Sequence, residues 1–384
     1  MVKLLYLDNA ATSWPKPEMV YQVHNEVLRR AGNAGRGVNQ ASLTASRELF
    51  QTREVLARLF NIPESERIIF TKNVTEALNV GLQGLLQPGN HVLISAIEHN
   101  AVVRPLEHLK TRGVWYSIVP CTKEGFFEVA QLEKYRLPET KMLCCTHASN
   151  VLGSIQSLAE LGKYCREHNL IFLVDSAQTA GIIPIDAETM NIDFLAFTGH
   201  KGLLGPQGTG GYFSRSNLEL RPLLYGGTGL HSASLDQPQE WPEGMESGTQ
   251  NIPGLAALRA GIEYILEQGQ ESIRTKELHL MEILLTGLRC LPGIEILGPK
   301  EPAKRVGLAS LHFPHHSADK IASRLDREYG IITRSGLHCS PLAHQAAGTE
   351  QCGALRISLG PFNTAEDVQV LLNALSTILG EEPN

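Results

Sequence analysis

One lysine stands at the head of a glycine-rich loop in "FTGHKGLLGPQGTGG", residues 197–211, with His200 directly before Lys201. Gly and Pro at this density describe a tight loop that brings backbone close to a neighbouring group, and a lone lysine there reads equally as a solvated loop charge. Asp175 closes the apolar run "LIFLVD", and Gln178 follows three residues on. An acid at the end of a buried strand is costly unless it meets a cation or hydrogen-bond donors. "RIIF" leads to Thr71, with Asn73 and Thr75 entering a helix whose free N–H groups and hydroxyls suit either a phosphate or a plain N-cap. "FLAFTGHK" adds Thr198, "VLISAIEHN" adds His99, and "KMLCCTHASN" adds His147 and Asn150. A phosphate cradle, a carboxylate and a lysine are together the requirements of pyridoxal phosphate. The cradle anchors it, the carboxylate keeps its ring nitrogen protonated, and the lysine forms a Schiff base with its aldehyde. Desolvation and nearby positive charge lower a lysine's pKa and leave its amine free to attack.

The elements that position these residues alternate. From about residue 66, short β-rich apolar runs ("RIIF", "HVLISA", "WYSIVPC", "KMLCCTH", "LIFLVDSA", "FLAFTG", "GTGGYFS") are interleaved with helical patterns. Such runs read as parallel strands covered on both faces, an open α/β sheet with its ligand at the carboxyl ends of the strands. After about residue 250 come two long amphipathic helices. "GLASLHFP", "IITRSG" and "ALRISLG" then suggest a smaller α+β domain. The expected division is a large cofactor-binding domain over 18–255 and a small domain from 1–17 with 256–384. Residues 226–248 lack a period and read as a long functional loop.

The 384 residues, 42% of them hydrophobic and 19% charged, have the make-up of a soluble globular chain whose core needs no disulfide or metal staple. A net charge of −6 gives no reason to expect a nucleic-acid or anionic-membrane partner. The N-terminus is too short in its apolar run and too polar for a signal peptide, and no segment approaches a membrane span. Seven cysteines, an odd count with no CxxC, suit free thiols in a reducing cytoplasm.

Taken in order, "YLDNAAT" (6–12), "GRG" (35–37), "TEALN" (75–79), "EHNA" (98–101), "SNVLGS" (149–154), "DSAQ" (175–178), "TGHK" (198–201), "GTQN" (248–251), "RSGLHC" (334–339) and "RISLGPFNT" (356–364) resemble the class V aminotransferase-type enzymes of fold type I. Within these they resemble the cysteine desulfurases, and the match runs nearly end to end. The resemblance implies a homodimer acting on L-cysteine and passing sulfur to a protein acceptor, as in iron–sulfur cluster biogenesis. It implies Lys201 as the Schiff-base lysine, with Thr75, Thr198 and His200 as phosphate ligands and Thr249 reaching the phosphate of the other subunit. Asp175 would partner the ring nitrogen and Gln178 the ring hydroxyl. His99 would stack on the ring and move protons, and Asn150 would touch substrate and a ring oxygen. Arg356 would hold the substrate carboxylate with its bidentate fork, beside Arg334.

Cys339 decides the reaction. Cys144, Cys145 and Cys165 read as small buried hydrophobes, whereas Cys339 sits between Gly336 and Pro341 with Arg334 and His338 near in sequence. Cationic neighbours favour thiolate. The "RSGxxC" form resembles the group II desulfurases, whose cysteine loop is short. Leu337 stands where their common pattern has a second histidine, Val74 stands in place of a common Thr, and "GRGVNQ" lacks a histidine often found there. The rival readings are a selenocysteine lyase, a true class V aminotransferase or other lyase, and a catalytically silent docking module. Zinc held by His338, Cys339 and His344, or by His312, His315 and His316, lacks the paired spacing of a structural site.

Overall fold

In the computed structural model, residues 4–35 and 39–380 are described; Arg36 and Gly37 of the Gly-Arg-Gly motif lie outside the described residues. The chain begins with a short strand, β1 (Leu5–Tyr6), and two helices, α1 (Glu18–Arg30) and α2 (Gln40–Phe60). An alternating stretch follows: β2 (Ile68–Thr71), α3 (Val74–Leu85), β3 (His91–Ser95), α4 (Asn100–Lys110), β4 (Trp115–Val119), α5 (Val129–Tyr135), β5 (Thr140–Thr146), α6 (Leu158–Glu167), β6 (Ile171–Asp175), β7 (Phe194–Thr198) and β8 (Gly210–Ser214). The seven runs read as strands form one sheet, in the order β2-β8-β7-β6-β5-β3-β4. Only β8 runs against the rest. Every residue of β3, β6, β7 and β8 is buried, because helices cover both faces, and this is why these strands read as unbroken apolar runs.

Residues 226–248 hold no strand and only the single 3-10 turn Glu243–Met245. Beyond them lie α7 (Ile252–Gln268), α8 (Gln270–Arg289), β9 (Glu295–Leu297), β10 (Leu308–His312), α9 (Ala318–Tyr329), β11 (Ile331–Ile332), β12 (Arg334–Gly336), α10 (Pro341–Ala347), β13 (Ala354–Ser358) and α11 (Ala365–Gly380). A second, antiparallel sheet has the order β12-β13-β10-β9. Its core is built with Leu280, Leu284 and Leu288 of α8, Ile321 and Leu325 of α9, and Leu371 and Leu375 of α11. The expected division between residues 255 and 256 falls inside α7. Asn251 caps that helix by accepting from Gly254 N (3.1 Å), and Leu255, Leu258 and Ile262 join the core of the large sheet. The break in packing comes at Gly269, between α7 and α8. At the other end, β1 pairs with β11, which brings the first residues onto the small sheet's side of the molecule. Among the described residues no helix is long and apolar enough to cross a membrane.

Two glycines fix the turn behind Lys201. A Cβ on Gly202 would stand 2.4 Å from the Ala180 carbonyl oxygen, and one on Gly181 would stand 2.5 Å from the Gly202 carbonyl oxygen. Gly202→Ala should therefore destabilise the fold by ~1–3 kcal/mol, the usual cost of overpacking. Urea unfolding at fixed protein concentration reads this as a lowered midpoint. An unchanged midpoint would mean that the turn gives way freely.

Candidate active site

The register of three strands assembles the centre. Asp175 ends β6 opposite Thr146 of β5 and Ala196 of β7, and Lys201 follows the end of β7 by three residues. The peptide before Lys201 is held tightly. The His200 carbonyl accepts from Ser13 N (2.9 Å), Thr12 Oγ1 (3.0 Å), Ser13 Oγ (3.2 Å) and Lys16 Nζ (3.4 Å). Burial pushes the Lys201 amine down to about 8, and Arg356 pushes the same way while Asp175 opposes. Asp175 is buried, and its Oδ1 accepts from Ala177 N (2.9 Å). Burial raises its pKa against the pull of that N–H and of Lys201. An amine that loses its proton far more readily than a free lysine thus lies within electrostatic reach of a buried carboxyl.

One end of this centre is built for an anion. Thr198 ends β7 and His200 stands two residues beyond it, and both Thr198 Oγ1 and His200 Nδ1 are buried without a protein partner. Burial, with Lys201 and Lys16 adding to it, lowers His200 to about 4 and keeps it neutral. Across the sheet, Asn73 caps α3 by accepting from Glu76 N (3.0 Å), and Glu76 Oε2 accepts from Lys72 N (2.7 Å). This reciprocal cap leaves the first-turn N–H groups of Val74 and Thr75 without intrahelical acceptors. Thr75 itself is exposed. Thr249 is exposed too, lining a surface pocket with Thr71, Lys72, Glu76, Gly208 and Asn251. Among the described residues it makes no hydrogen bond to the other site residues.

The opposite end is basic. Arg356 on β13 is 2% exposed. Its Nη2 pairs with Asp8 Oδ1 (2.8 Å), its Nη1 donates to the Asn150 carbonyl (3.1 Å), and its Nε is buried without a partner. Arg334 stands opposite it in the β12–β13 register and is exposed. The fork of Arg356 is thus half taken by an acid 348 residues away. His99 is the N-cap of α4, its Nδ1 accepting from Ala101 N (3.0 Å). Burial, and next Lys201, lower it to about 4. The neutral ring therefore carries its hydrogen on Nε2.

Two of the expected ligand residues already have protein partners. Asn150 is committed to the cysteine loop: its Nδ2 donates to the His338 carbonyl (2.7 Å) and its Oδ1 accepts from Ser340 Oγ (2.6 Å). Gln178 Nε2 donates to the Ala10 carbonyl (3.1 Å) of the N-terminal segment. His338 also differs from expectation. It is buried, its Nε2 donates to the Arg334 carbonyl (3.2 Å), and burial lowers it to about 3. It is neutral, so Arg334 is the cation left near Cys339 in sequence.

Cys339 is an exposed free thiol, while Cys144, Cys145 and Cys165 are buried free thiols. His338 and Cys339 both take left-handed backbone (φ 51° and 57°), a conformation that costs non-glycine residues roughly 1–2 kcal/mol each. Several bonds hold it. Besides those of Asn150, Asn100 N donates to the Cys339 carbonyl (2.8 Å) and Ser340 N to the Leu337 carbonyl (3.0 Å). Asp8, Asn100, Ser340 and Lys16 are site residues that the sequence did not mark individually. Asp8 lies in the "YLDNAAT" run and Ser340 directly follows the cysteine, which were the available signals.

The family model for class-V aminotransferases matches residues 5–371. A probable cysteine desulfurase of Methanothermobacter thermautotrophicus is 34% identical over 383 residues, covering 98% of this chain and 95% of the relative. An apo structure of the cysteine desulfurase of Thermococcus onnurineus superposes with a TM-score of 0.93 at 32% identity, covering 98% of this chain and 95% of that one. The cysteine desulfurase CsdA of Escherichia coli, in its S-sulfonic acid form, gives 0.89 at 29% identity over the same shares.

The tethers of the cysteine loop provide a test that depends on no relative. Asn150→Ala leaves the His338 carbonyl and Ser340 Oγ short of a partner, at about 1–3 kcal/mol for each buried group. Amide exchange at Ser340 and Asn100 should speed up by at least tenfold while the β6 amides keep their protection. Wild-type exchange at both positions would show that Asn150 does not hold the loop.

Proposed function

The chain belongs to the class-V aminotransferase family, and from that premise we infer that it is a cysteine desulfurase, converting L-cysteine to L-alanine and leaving the sulfur as a persulfide on Cys339. The observation that carries this reading is the placement of Cys339. It is an exposed thiol on a short loop, bonded through Asn100 and Asn150 to the residues around Lys201 and Arg356.

The residues present fit pyridoxal phosphate. Thr198 Oγ1 and His200 Nδ1 are unpartnered donors for a phosphate, with the open first turn of α3 at Thr75 as a further source. Lys201 has its amine lowered to about 8, and Asp175 is the buried carboxyl beside it. When bound, this cofactor supplies an aldehyde for the substrate amine and a protonated ring that draws electrons from the α-carbon. Asp175 would keep the proton on the ring nitrogen. Lys201, with its amine lowered to about 8 and so readily deprotonated, takes and returns a proton at its Nζ. His99, with its hydrogen on Nε2, is a donor beside Lys201. Arg356 offers Nε and the remaining face of its fork to the substrate carboxylate, and Arg334 adds positive charge at the mouth. Gln178, bonded to Ala10, and Asn150, bonded to the cysteine loop, each keep a second amide hydrogen that would serve a ring oxygen.

The thiolate of Cys339 attacks the sulfur of cysteine. A sulfur–sulfur bond forms and the carbon–sulfur bond breaks, with its electron pair left on the carbon that is protonated to give alanine. The exposed persulfide is then open to a protein acceptor. A homodimer completes this reading. Thr249 makes no bond to its own site, and Leu224 and Tyr225 just before the long loop and Leu235 within it are exposed, which suits cover by a second copy.

The test is direct. Protein loaded with pyridoxal phosphate and given L-cysteine with a thiol reductant, which releases the persulfide sulfur, should yield alanine and sulfide together, and borohydride should fix the cofactor to the Lys201 peptide. Cys339→Ala should keep the cofactor's absorbance and lose alanine formation by at least a hundredfold. Alanine at the wild-type rate from that variant would remove the persulfide step and favour an aminotransferase or another lyase.

A further inference from the structure

Glu98 lies one residue before His99 and has no part in the chemistry above. It is 0% exposed. Its Oε1 accepts from Thr146 N (2.8 Å) at the end of β5 and from Ser95 Oγ at the end of β3. Its Oε2 is buried with no partner. Among the described residues no cation forms an ion pair with it. The titratable groups within its electrostatic reach on the packed strands are Asp175 of β6 and Cys144 and Cys145 of β5. All of these are acids, and burial holds both thiols neutral.

We propose that Glu98 is a positioning residue that stands in the fold as a neutral carboxylic acid, so that the shelf of strand ends carries a single negative charge and Asp175 holds it. Two adjacent buried carboxyls without a cation between them cannot both stay ionised. Asp175 accepts an N–H and lies within reach of Lys201, both of which favour its charged form. Glu98 has one oxygen with no donor at all, the place for its own hydrogen. Burial accordingly pushes it up to about 8, with Asp175 adding to the rise. As a neutral acid it joins the ends of β3 and β5 and fixes the turn that carries His99, without competing for the positive charge that Asp175 must attract. The consequence for catalysis rests on the reading of Asp175 as the ring-nitrogen partner, but the proton on Glu98 does not.

The experiment compares cofactor-loaded wild type with Glu98→Gln and needs no substrate, so its failure is separate from that of the desulfurase reading. The infrared difference spectrum near neutral pH should show the stretching band of a protonated carboxyl in wild type and not in the variant. Thermal stability supplies the second readout. An acid whose folded pKa is raised stabilises the fold less as pH climbs from its unfolded value, because the unfolded chain ionises first. The melting temperature of Glu98→Gln should therefore gain on wild type steadily from about 4.5 to about 8 and level off above. A difference spectrum with carboxylate bands alone, or a gap that moves the other way, overturns the proposal. So does a variant that fails to fold, because the amide has the shape and charge of the neutral acid.

Discussion

The site depends on keeping an amine and a carboxyl together in a desolvated space while each retains a usable protonation state. Burial alone disfavours the charge on both Lys201 and Asp175, and their mutual attraction works against it. The balance is set by the neighbours. Arg356 and Arg334 push Lys201 further towards the free amine, while the Ala177 N–H helps Asp175 keep its charge. Such a balance holds only if distances are fixed, and the four donors on the His200 carbonyl fix the backbone from which Lys201 projects.

Those donors come from residues 12–16, so the N-terminal segment links the two halves of the molecule. Residues 5 and 6 pair with β11, and Asn9 N and Ala10 N bond to the backbone and hydroxyl oxygens of Ser358 at the end of β13. Asp8 meets Arg356, and Thr12, Ser13 and Lys16 reach the turn before Lys201. The segment thus spans from the small sheet to the lysine. Breaking a buried ion pair such as that of Arg356 and Asp8 typically costs about 3–5 kcal/mol, so the basic end of the site is coupled to the stability of the segment.

Much of this was legible in the sequence because the large sheet is covered on both faces. Each strand is a run of apolar residues, and the polar residue that ends it, Asp175 or Thr198, announces a ligand edge. What stayed hidden depends on pairings of long range. Nothing near Arg356 in the chain points to Asp8, and nothing near Asn150 points to the loop at His338 and Ser340. His338 read as a cation because it lies beside a cysteine, but the fold buries its ring, and burial decides its charge. Nothing in the sequence marks Glu98, which the fold buries completely and bonds to Ser95 and Thr146. The same holds for α7, whose apolar face does not reveal which sheet it covers.

The cysteine loop has a consequence for the fate of the sulfur. Its four residues, 337–340, run between β12 and α10, and a Cβ on Gly353 would stand 2.8 Å from the Gly336 backbone, so the base of the loop has no room to shift. Its crown is tied by Asn100 and Asn150 in a backbone conformation that non-glycine residues adopt at a cost. A long, loose loop could carry a persulfide away from the cleft to a distant partner. This one cannot swing without giving up bonds to buried groups on two sides. On the desulfurase reading, the acceptor must therefore come to Cys339, and the exposure of that thiol is a requirement of the chemistry.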